Sequence, residues 1–455
     1  MRLPFPDLLA TRFGRLTAFF LLYVTEGIPL GFTATAIATQ MRRQGLGPAE
    51  IGAFVGSLYL PWAFKWVAGP IVDTITSERF GRRRTWIVLM QVGMILTLLI
   101  ALPIDFTNDV KLFTLLILIH NAFCATQDVA IDALAVNVLK EDERGTANGF
   151  MFAGASIGQT IGGSGVLFLT SVIPFRMTYF FVAGCIALVT LLVALPLQEP
   201  KSPPRPRPPG GPLHVVAREI GAFVTDAYRA FTGSRAAKVG LLYAILPAGA
   251  YALGLALQSI LAVELGLSDN SIAQLNLWST SILAAGCVAG GWLSDRFGRR
   301  KTLGIFLAAT ALPTLWLAWS MQHAPWIHAI DPRLPNRPVP PASLVSTFWY
   351  ACLVYNLFQG LYYGIQSALF MDITTPRVAA TQFTAYMAML NLTISYTARW
   401  QGWAIERFGY PMTLALDAGL GMIGVALLPL LKPQPRGEPV AEELPPGSVI
   451  PEIVR

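Results

Sequence analysis

The sequence predicts an all-α polytopic membrane protein with twelve transmembrane helices in two pseudo-symmetric six-helix bundles. Three observations carry that prediction. Of the 455 residues, 54% are hydrophobic and 13% charged, about half the charged share of a soluble domain. The apolar residues fall into twelve long blocks separated by short charged or proline-rich stretches. A proline-rich spacer divides those blocks six and six, and the two sets echo each other. Twelve helices of about 21 residues need about 250 residues, which leaves room for loops, a linker and tails.

Taken in order, the first block covers 16–41. It is too long for the apolar part of a cleaved signal peptide and is followed at once by a second block, so it reads as a span. Glu26 lies close to its middle, beside Gly27-Ile28-Pro29-Leu30-Gly31, where the helix is expected to bend or unwind. The second block, 50–73, places Lys65 eight residues before Asp73, about 12 Å along the helix from that end. The third is 85–104 and the fourth 112–139, where Asp128 and Asp132 stand one turn apart on one face. The fifth, 145–170, carries Gly154, Gly158 and Gly162, a groove that admits a neighbouring helix and is expected at the moving interface. The sixth is 176–196.

The segment 197–237 contains the run from Pro203 to Pro209, which cannot continue a helix and reads as an extended spacer. The stretch 213–228 alternates apolar and charged residues. It suits a short surface helix, lying on the inner leaflet or facing solvent. The second set of blocks lies at 238–262, 271–293, 302–321, 344–371, 378–403 and 410–431. The expected organisation is a tail (1–15), a six-helix bundle (16–196), the linker (197–237), a second bundle (238–431) and a tail (432–455).

Lysine and arginine counts set the orientation. Eighteen fall in one set of inter-helix segments and seven in the other, namely Arg42, Arg43, Lys111, Arg176, Arg333, Arg337 and Arg407. Both termini are therefore expected in the cytoplasm. The net charge of +7 is that bias meeting anionic lipid, and no zinc-finger spacing or aromatic-basic interleaving points to nucleic acid.

The two sets repeat a signature. Asp73 precedes Gly81-Arg82-Arg83-Arg84, and Asp295 precedes Gly298-Arg299-Arg300-Lys301. A second echo pairs Arg144-Gly145-Thr146-Ala147 with Arg377-Val378-Ala379-Ala380, with Asp132 and Asp372 upstream. A carboxylate at a helix C-terminus needs a cation, and the arginines after a tight glycine turn supply one. The candidate cytoplasmic gate is thus Asp73, Arg82, Arg83, Asp295, Arg299, Arg300, Arg144 and Arg377. It is either a latch between the halves or a static turn.

These turns resemble the cytoplasmic signature of the major facilitator superfamily. The N-terminal half is similar to its peptide/acetyl-coenzyme A transporter branch, which includes the AmpG-type muropeptide permeases. The likeness rests on Glu26-Gly27-Ile28-Pro29-Leu30-Gly31, Phe64-Lys65-Trp66, Pro70-Ile71-Val72-Asp73, Phe80-Gly81-Arg82-Arg83-Arg84-Thr85-Trp86 and Gln127-Asp128-Val129-Ala130-Ile131-Asp132. The resemblance implies the major facilitator fold and alternating access around a midplane site. It also implies proton-motive-force-driven import of muropeptides across a bacterial inner membrane for peptidoglycan recycling. Acetyl-coenzyme A or another large organic anion is the alternative cargo, followed by siderophores and efflux substrates. The glycines of the fifth span are similar to those of drug/proton antiporters, but Gln159 stands where those carry proline, and antiport is not inferred.

Charges at membrane depth are costly and face a cavity or a partner. Glu26, Lys65 and Asp128, with Asp132 nearer the cytoplasm, are the candidate coupling charges. Lys65 would pair with one carboxylate, and the other would take up the coupling proton. A locked buried ion pair and direct substrate contact are the competing roles. In the C-terminal half, Asn356, Gln359, Gln366, Tyr386, Asn391, Arg399 and Asp417 are candidates for a polar anionic ligand with sugar or peptide groups. Arg399 either recognises a carboxylate or phosphate, or it snorkels to the outer headgroups or pairs with Asp417 or Glu406.

Cys124, Cys185, Cys287 and Cys352 are isolated in apolar segments. The four histidines have no ligand-like partners, so no metal site is expected. No cofactor, Walker A pattern or catalytic constellation is present, and an enzyme is not expected. Neither a filter motif nor pore rings argue for a channel. The expected partners are the ligand, protons and the bilayer, with no obligate protein partner.

Overall fold

A computed structural model of the chain describes residues 7–75, 77, 80–140, 143–199, 211–324, 326–374 and 379–431. Among the described residues every regular element is helical. The N-terminal half holds α1 (Arg12–Arg43), α2 (Pro48–Leu58), α3 (Ala68–Thr74), α4 (Arg82–Ala101), α5 (Val110–Val138), α6 (Thr146–Leu169) and α7 (Phe175–Ala194). The linker forms α8 (Pro212–Thr232). The C-terminal half holds α9 (Arg235–Ile245), α10 (Ala256–Glu264), α11 (Asp269–Phe297), α12 (Arg299–His323), α13 (Ala342–Ile373), α14 (Ala379–Phe408) and α15 (Tyr410–Leu427).

Among the described residues, eight helical stretches are long and apolar enough to cross a membrane. The other four expected spans are helical but different in kind. The second is interrupted between α2 and α3 by the 3₁₀ turn Lys65–Val67. The seventh is interrupted between α9 and α10, and the tenth and eleventh are the long helices α13 and α14, whose apolar runs are broken by residues such as Asn356, Gln359, Gln366, Asn391 and Arg399.

The bend expected at Pro29 is not an unwinding. Helix α1 runs through that proline and takes a π-helical turn at Phe32–Ile37. The unwound segment is 246–255, and its free backbone groups are met one by one. Gly249 (φ +78) donates its amide to the Gly421 carbonyl at 3.0 Å, and Ala250 donates to Thr310 Oγ1 at 2.8 Å. Tyr251 and Ala252 donate to Asp417 Oδ2 at 2.8 and 2.9 Å.

Glycine sets the closest helix contacts. A Cβ on Gly154, Gly158 or Gly162 would fall 2.3, 2.3 and 2.1 Å from the carbonyl oxygens of Phe20, Val24 and Ile28. Reciprocally, one on Gly27 or Gly31 would meet the carbonyls of Ala155 and Gln159. This seam joins α1 to α6 inside one half, which corrects the expectation that it lies at the moving interface. Only the neighbouring Gly163 faces the other half, where its Cβ would stand 3.0 Å from Asn276 Nδ2. The C-terminal half has its own seam between α11 and α13, where Gly290 and Gly360 face the carbonyls of Leu361 and Leu283. Across the two halves, α2 packs on α14 through Gly52, Gly56 and Gly402, against the carbonyls of Ala398, Ser395 and Pro48.

The linker helix α8 packs partly against the rest of the chain. Val215, Val216 and Ala230 are buried, whereas Leu213, Val224 and Tyr228 are exposed.

Candidate functional site

The coupling charges come together in the N-terminal half. The break at 64–67 turns Lys65 toward α5, and its Nζ lies 2.7 Å from Asp128 Oδ2. The Asp128 side chain is 4% exposed and that of Lys65 30% exposed. The ammonium also lies 5.6 Å from the centroid of the Trp62 ring. One turn along, Asp132 Oδ1 accepts a 2.5 Å hydrogen bond from Tyr23 Oη. Glu26 is the third carboxylate of the cluster, within electrostatic reach of Asp128, Asp132 and Lys65. Its Oε2 is buried without a hydrogen-bond partner. Around the cluster, Gln91 and Gln127 both donate to Thr25 Oγ1, at 3.1 and 3.0 Å.

A further residue faces these charges from the other half. Tyr363 on α13 is within electrostatic reach of Glu26 and Lys65, and it is 55% exposed. It belongs to a group of tyrosines, with Tyr59, Tyr251, Tyr355 and Tyr362, that neighbour one another electrostatically. Residue type alone did not single them out. The run Leu361-Tyr362-Tyr363-Gly364 was the available signal.

The C-terminal candidates largely serve the fold. Asn356 and Asn391 donate to carbonyls of their own helices, Cys352 and Met387. Gln366 donates to Tyr243 Oη at 3.1 Å. Tyr386 is wholly buried, its ring 4.6 Å from that of Phe370. Asp417 is occupied by the two amides of the unwound segment and by Gln401 Nε2 at 2.7 Å. Such groups look like ligand contacts in sequence, but here each satisfies a buried neighbour. Gln359 is half-buried. Arg399 is exposed and pairs with neither Asp417 nor Glu406, whose Oε1 accepts from the Ala49 amide at 3.0 Å.

At the basic-turn end, Gly81 and Gly298 both adopt positive φ, +94 and +90, at the start of a helix. Arg83 pairs with Asp73 and donates to the Val72 carbonyl. Glu199 Oε2 accepts from the amides of Arg83 and Arg84, a carboxylate against a helix N-terminus. In the second copy Arg299 pairs with Asp372 at 2.9 Å, and Arg300 donates to the Leu431 carbonyl. In the first copy it is Arg84, one position further along the turn, that makes such a contact, with the Leu197 carbonyl. Arg82 engages a partner as well. The side chains of Asp295 and Arg144, and the whole of Arg377, lie outside the described residues.

The Arg83–Asp73 and Arg299–Asp372 pairs each stay within one half. At the opposite end, ion pairs join the two halves. Arg42 donates to Glu264 Oε1 from Nε at 3.0 Å and from Nη2 at 2.6 Å. Arg43 pairs with Asp269 at 2.5 Å, and Gln40 and Thr170 also donate to Asp269. Asn276 donates to Ser164 Oγ at 2.9 Å. In the sequence alone, Arg42 and Arg43 read only as charges of the less basic set of inter-helix segments.

Comparison with known proteins fits this architecture. The family model described as Major Facilitator Superfamily matches residues 16–237 and 239–454. The chain is similar to the "Anhydromuropeptide permease" of Escherichia coli K12, with 24% identity over 90% of this chain and 78% of that protein. It is also similar to "Putative transporter AmpG 4" of Rickettsia conorii, with 24% identity over 67% of this chain and 74% of that protein. Among solved structures, the nucleoside transporter NupG matches with a TM-score of 0.66 at 14% identity, covering 92% of this chain and 99% of that one. The xylose transporter XylE from E. coli in its inward-open conformation matches at 0.65 and 13%, covering 93% and 97%. With nearly its whole length matched, and with transporters rather than enzymes for relatives, the chain belongs to the Major Facilitator Superfamily.

Proposed function

We propose that this chain imports anhydromuropeptides together with protons across a bacterial inner membrane, with both termini cytoplasmic. The single observation that carries the reading is the half-buried Lys65–Asp128 pair beside Glu26, whose Oε2 has no hydrogen-bond partner. Three carboxyl groups, Glu26, Asp128 and Asp132, share one ammonium where bulk water is scarce. A carboxyl at this depth that Lys65 does not meet is the candidate to carry a proton. A transport cycle that opens the site first to one side and then to the other can exchange that proton across the membrane. The similarity to the anhydromuropeptide permease supplies the cargo, and Tyr363 opposite the charges suits a sugar ring. The gate residues at the basic-turn end keep, in this reading, their role in the cycle.

The experiment is uptake of labelled N-acetylglucosaminyl-anhydromuramyl-peptide into proteoliposomes under an inward proton gradient, with and without a protonophore. Accumulation that collapses with the protonophore is the expected result. No accumulation, beside a working permease control, would remove the muropeptide as cargo.

A further inference from the structure

Helix α8 is joined to the candidate site by one aromatic contact. Val216, Ile220, Phe223, Ala227 and Ala230 recur at four- and three-residue steps and share one face. The helix lies against α3 of one half and α14 of the other, spanning both. The ring of Phe223 is stacked on that of Trp66, with centroids 4.8 Å apart and planes at 11°. Trp66 is the middle residue of the 3₁₀ turn Lys65–Val67, and Lys65 leaves the same turn to reach Asp128. The 3₁₀ turn follows the break at Phe64 and runs directly into α3, and its i→i+3 hydrogen bonds have poorer geometry than those of an α-helix, so packing on its side chains helps to set its shape. Within the turn, the amide of Val67 donates to the Phe64 carbonyl at 3.0 Å.

We propose that Phe223 is a positioning residue for the ion pair. By stacking on Trp66 it fixes the turn so that the Lys65 ammonium meets Asp128. Because α8 touches both halves, a motion that separates α3 from α14 draws Phe223 away from Trp66 and loosens Lys65. The linker thereby ties the release of the pair to the opening of the basic-turn end. The groups facing Lys65 are Asp128, Asp132 and Glu26, with Tyr363 from the other half. The inference rests on Lys65–Asp128 as the coupling site proposed above, but its first test does not need the cargo.

That test is acylation of Lys65 by an amine-reactive acetate ester in the full-length protein without substrate, followed by mass spectrometry. Phe223→Ala is expected to speed labelling of Lys65 by about three- to tenfold, the weight of one aromatic stack. Phe223→Tyr should restore the wild-type rate, and Phe223→Leu, which keeps apolar bulk without the ring, should resemble Phe223→Ala. In proteoliposomes, Phe223→Ala should lower gradient-driven muropeptide accumulation and shift its pH profile while leaving gradient-free counterflow within about twofold. An unchanged labelling rate overturns the proposal, as does an equal loss of accumulation and counterflow. Failure of both the Ala and Leu variants to fold would assign Phe223 to the fold and overturn it too. A wild type that carries no muropeptide would remove the functional reading and leave the labelling result to decide this one.

Discussion

Arg42 and Glu264 form an ion pair between the two halves, with side chains 3% and 0% exposed, at the end opposite Gly81 and Gly298. Tyr410 Oη and the Ile330 amide also donate to the Glu264 carboxylate, and Arg42 donates to the carbonyls of Leu46 and Ile330. Removing one member of such a buried pair costs about 3–5 kcal/mol, mostly for the charge left behind. Arg42→Ala should therefore favour the state open at this end by about a hundredfold or more. The check is thiol labelling of Ser164→Cys, a position 1% exposed between the halves, with the four native cysteines replaced. Labelling from the Arg42 side should rise with Arg42→Ala. No rise would mean that the pair does not hold this end shut.

Asp128→Asn keeps shape and a hydrogen-bond acceptor for Lys65 but removes the charge. Substrate binding should survive, while uphill accumulation driven by a pH gradient should be lost. Accumulation at wild-type level under a fixed gradient would pass the coupling role to Glu26.

The glycine seam predicts a sharp contrast between two alanine substitutions. At Gly31 the added Cβ would lie 2.1 Å from the Gln159 carbonyl oxygen, on a backbone that cannot swing aside. Gly31→Ala should destabilise by about 1–3 kcal/mol or more. At Gly184 nothing lies within 4 Å, and the helix gains the better helix former. Gly184→Ala should leave the melting temperature unchanged or higher. Equal melting temperatures in detergent for the two variants would contradict the seam.

Glu143 lies between α5 and α6, where Arg15 donates to it from Nε at 2.9 Å and from Nη2 at 2.5 Å. The Arg15 hydrogen bonds hold this carboxyl below the ordinary glutamate range. A depressed value means a contribution to stability that is fully present above about pH 4.3, the ordinary value. It is lost as pH falls through the lower folded value. Arg15→Gln should thus lower the melting temperature by a constant amount between pH 6 and 8, and the gap to wild type should narrow below about pH 4. A gap independent of pH down to acid denaturation would rule out the ionised pair as its source.

How much of this was legible follows from what each signal is made of. The helices were written in block lengths, and the duplicated turns in Gly81 and Gly298, because only glycine takes that φ without strain. Lys65 and Asp128 could be brought together because both sit about the same distance in from the same membrane face. The role of Arg42 could not be read, since a charge near a span end looks the same whether it meets lipid headgroups or the opposite half. The partners of Gln366 and Asp417 inside the fold could not be read for a related reason. A polar side chain in an apolar run carries no mark of whether its partner is a ligand or a backbone amide such as that of Tyr251. Pro247, Gly249 and Gly254 did mark the break in the seventh segment, but similar residues at 27–31 drew the expectation to the first helix instead.

The two glycine seams join non-equivalent helices. In the first repeat the first and fifth spans are locked, but in the second it is the eighth and tenth, which correspond to the second and fourth. The close backbone contacts therefore fall at different places in the two copies, and in the second Gly421 and Gly424 add a further one against the carbonyls of Gly249 and Pro247. The reverse stroke of the cycle need not then mirror the forward one, and inward and outward opening can differ in speed even for a symmetric load.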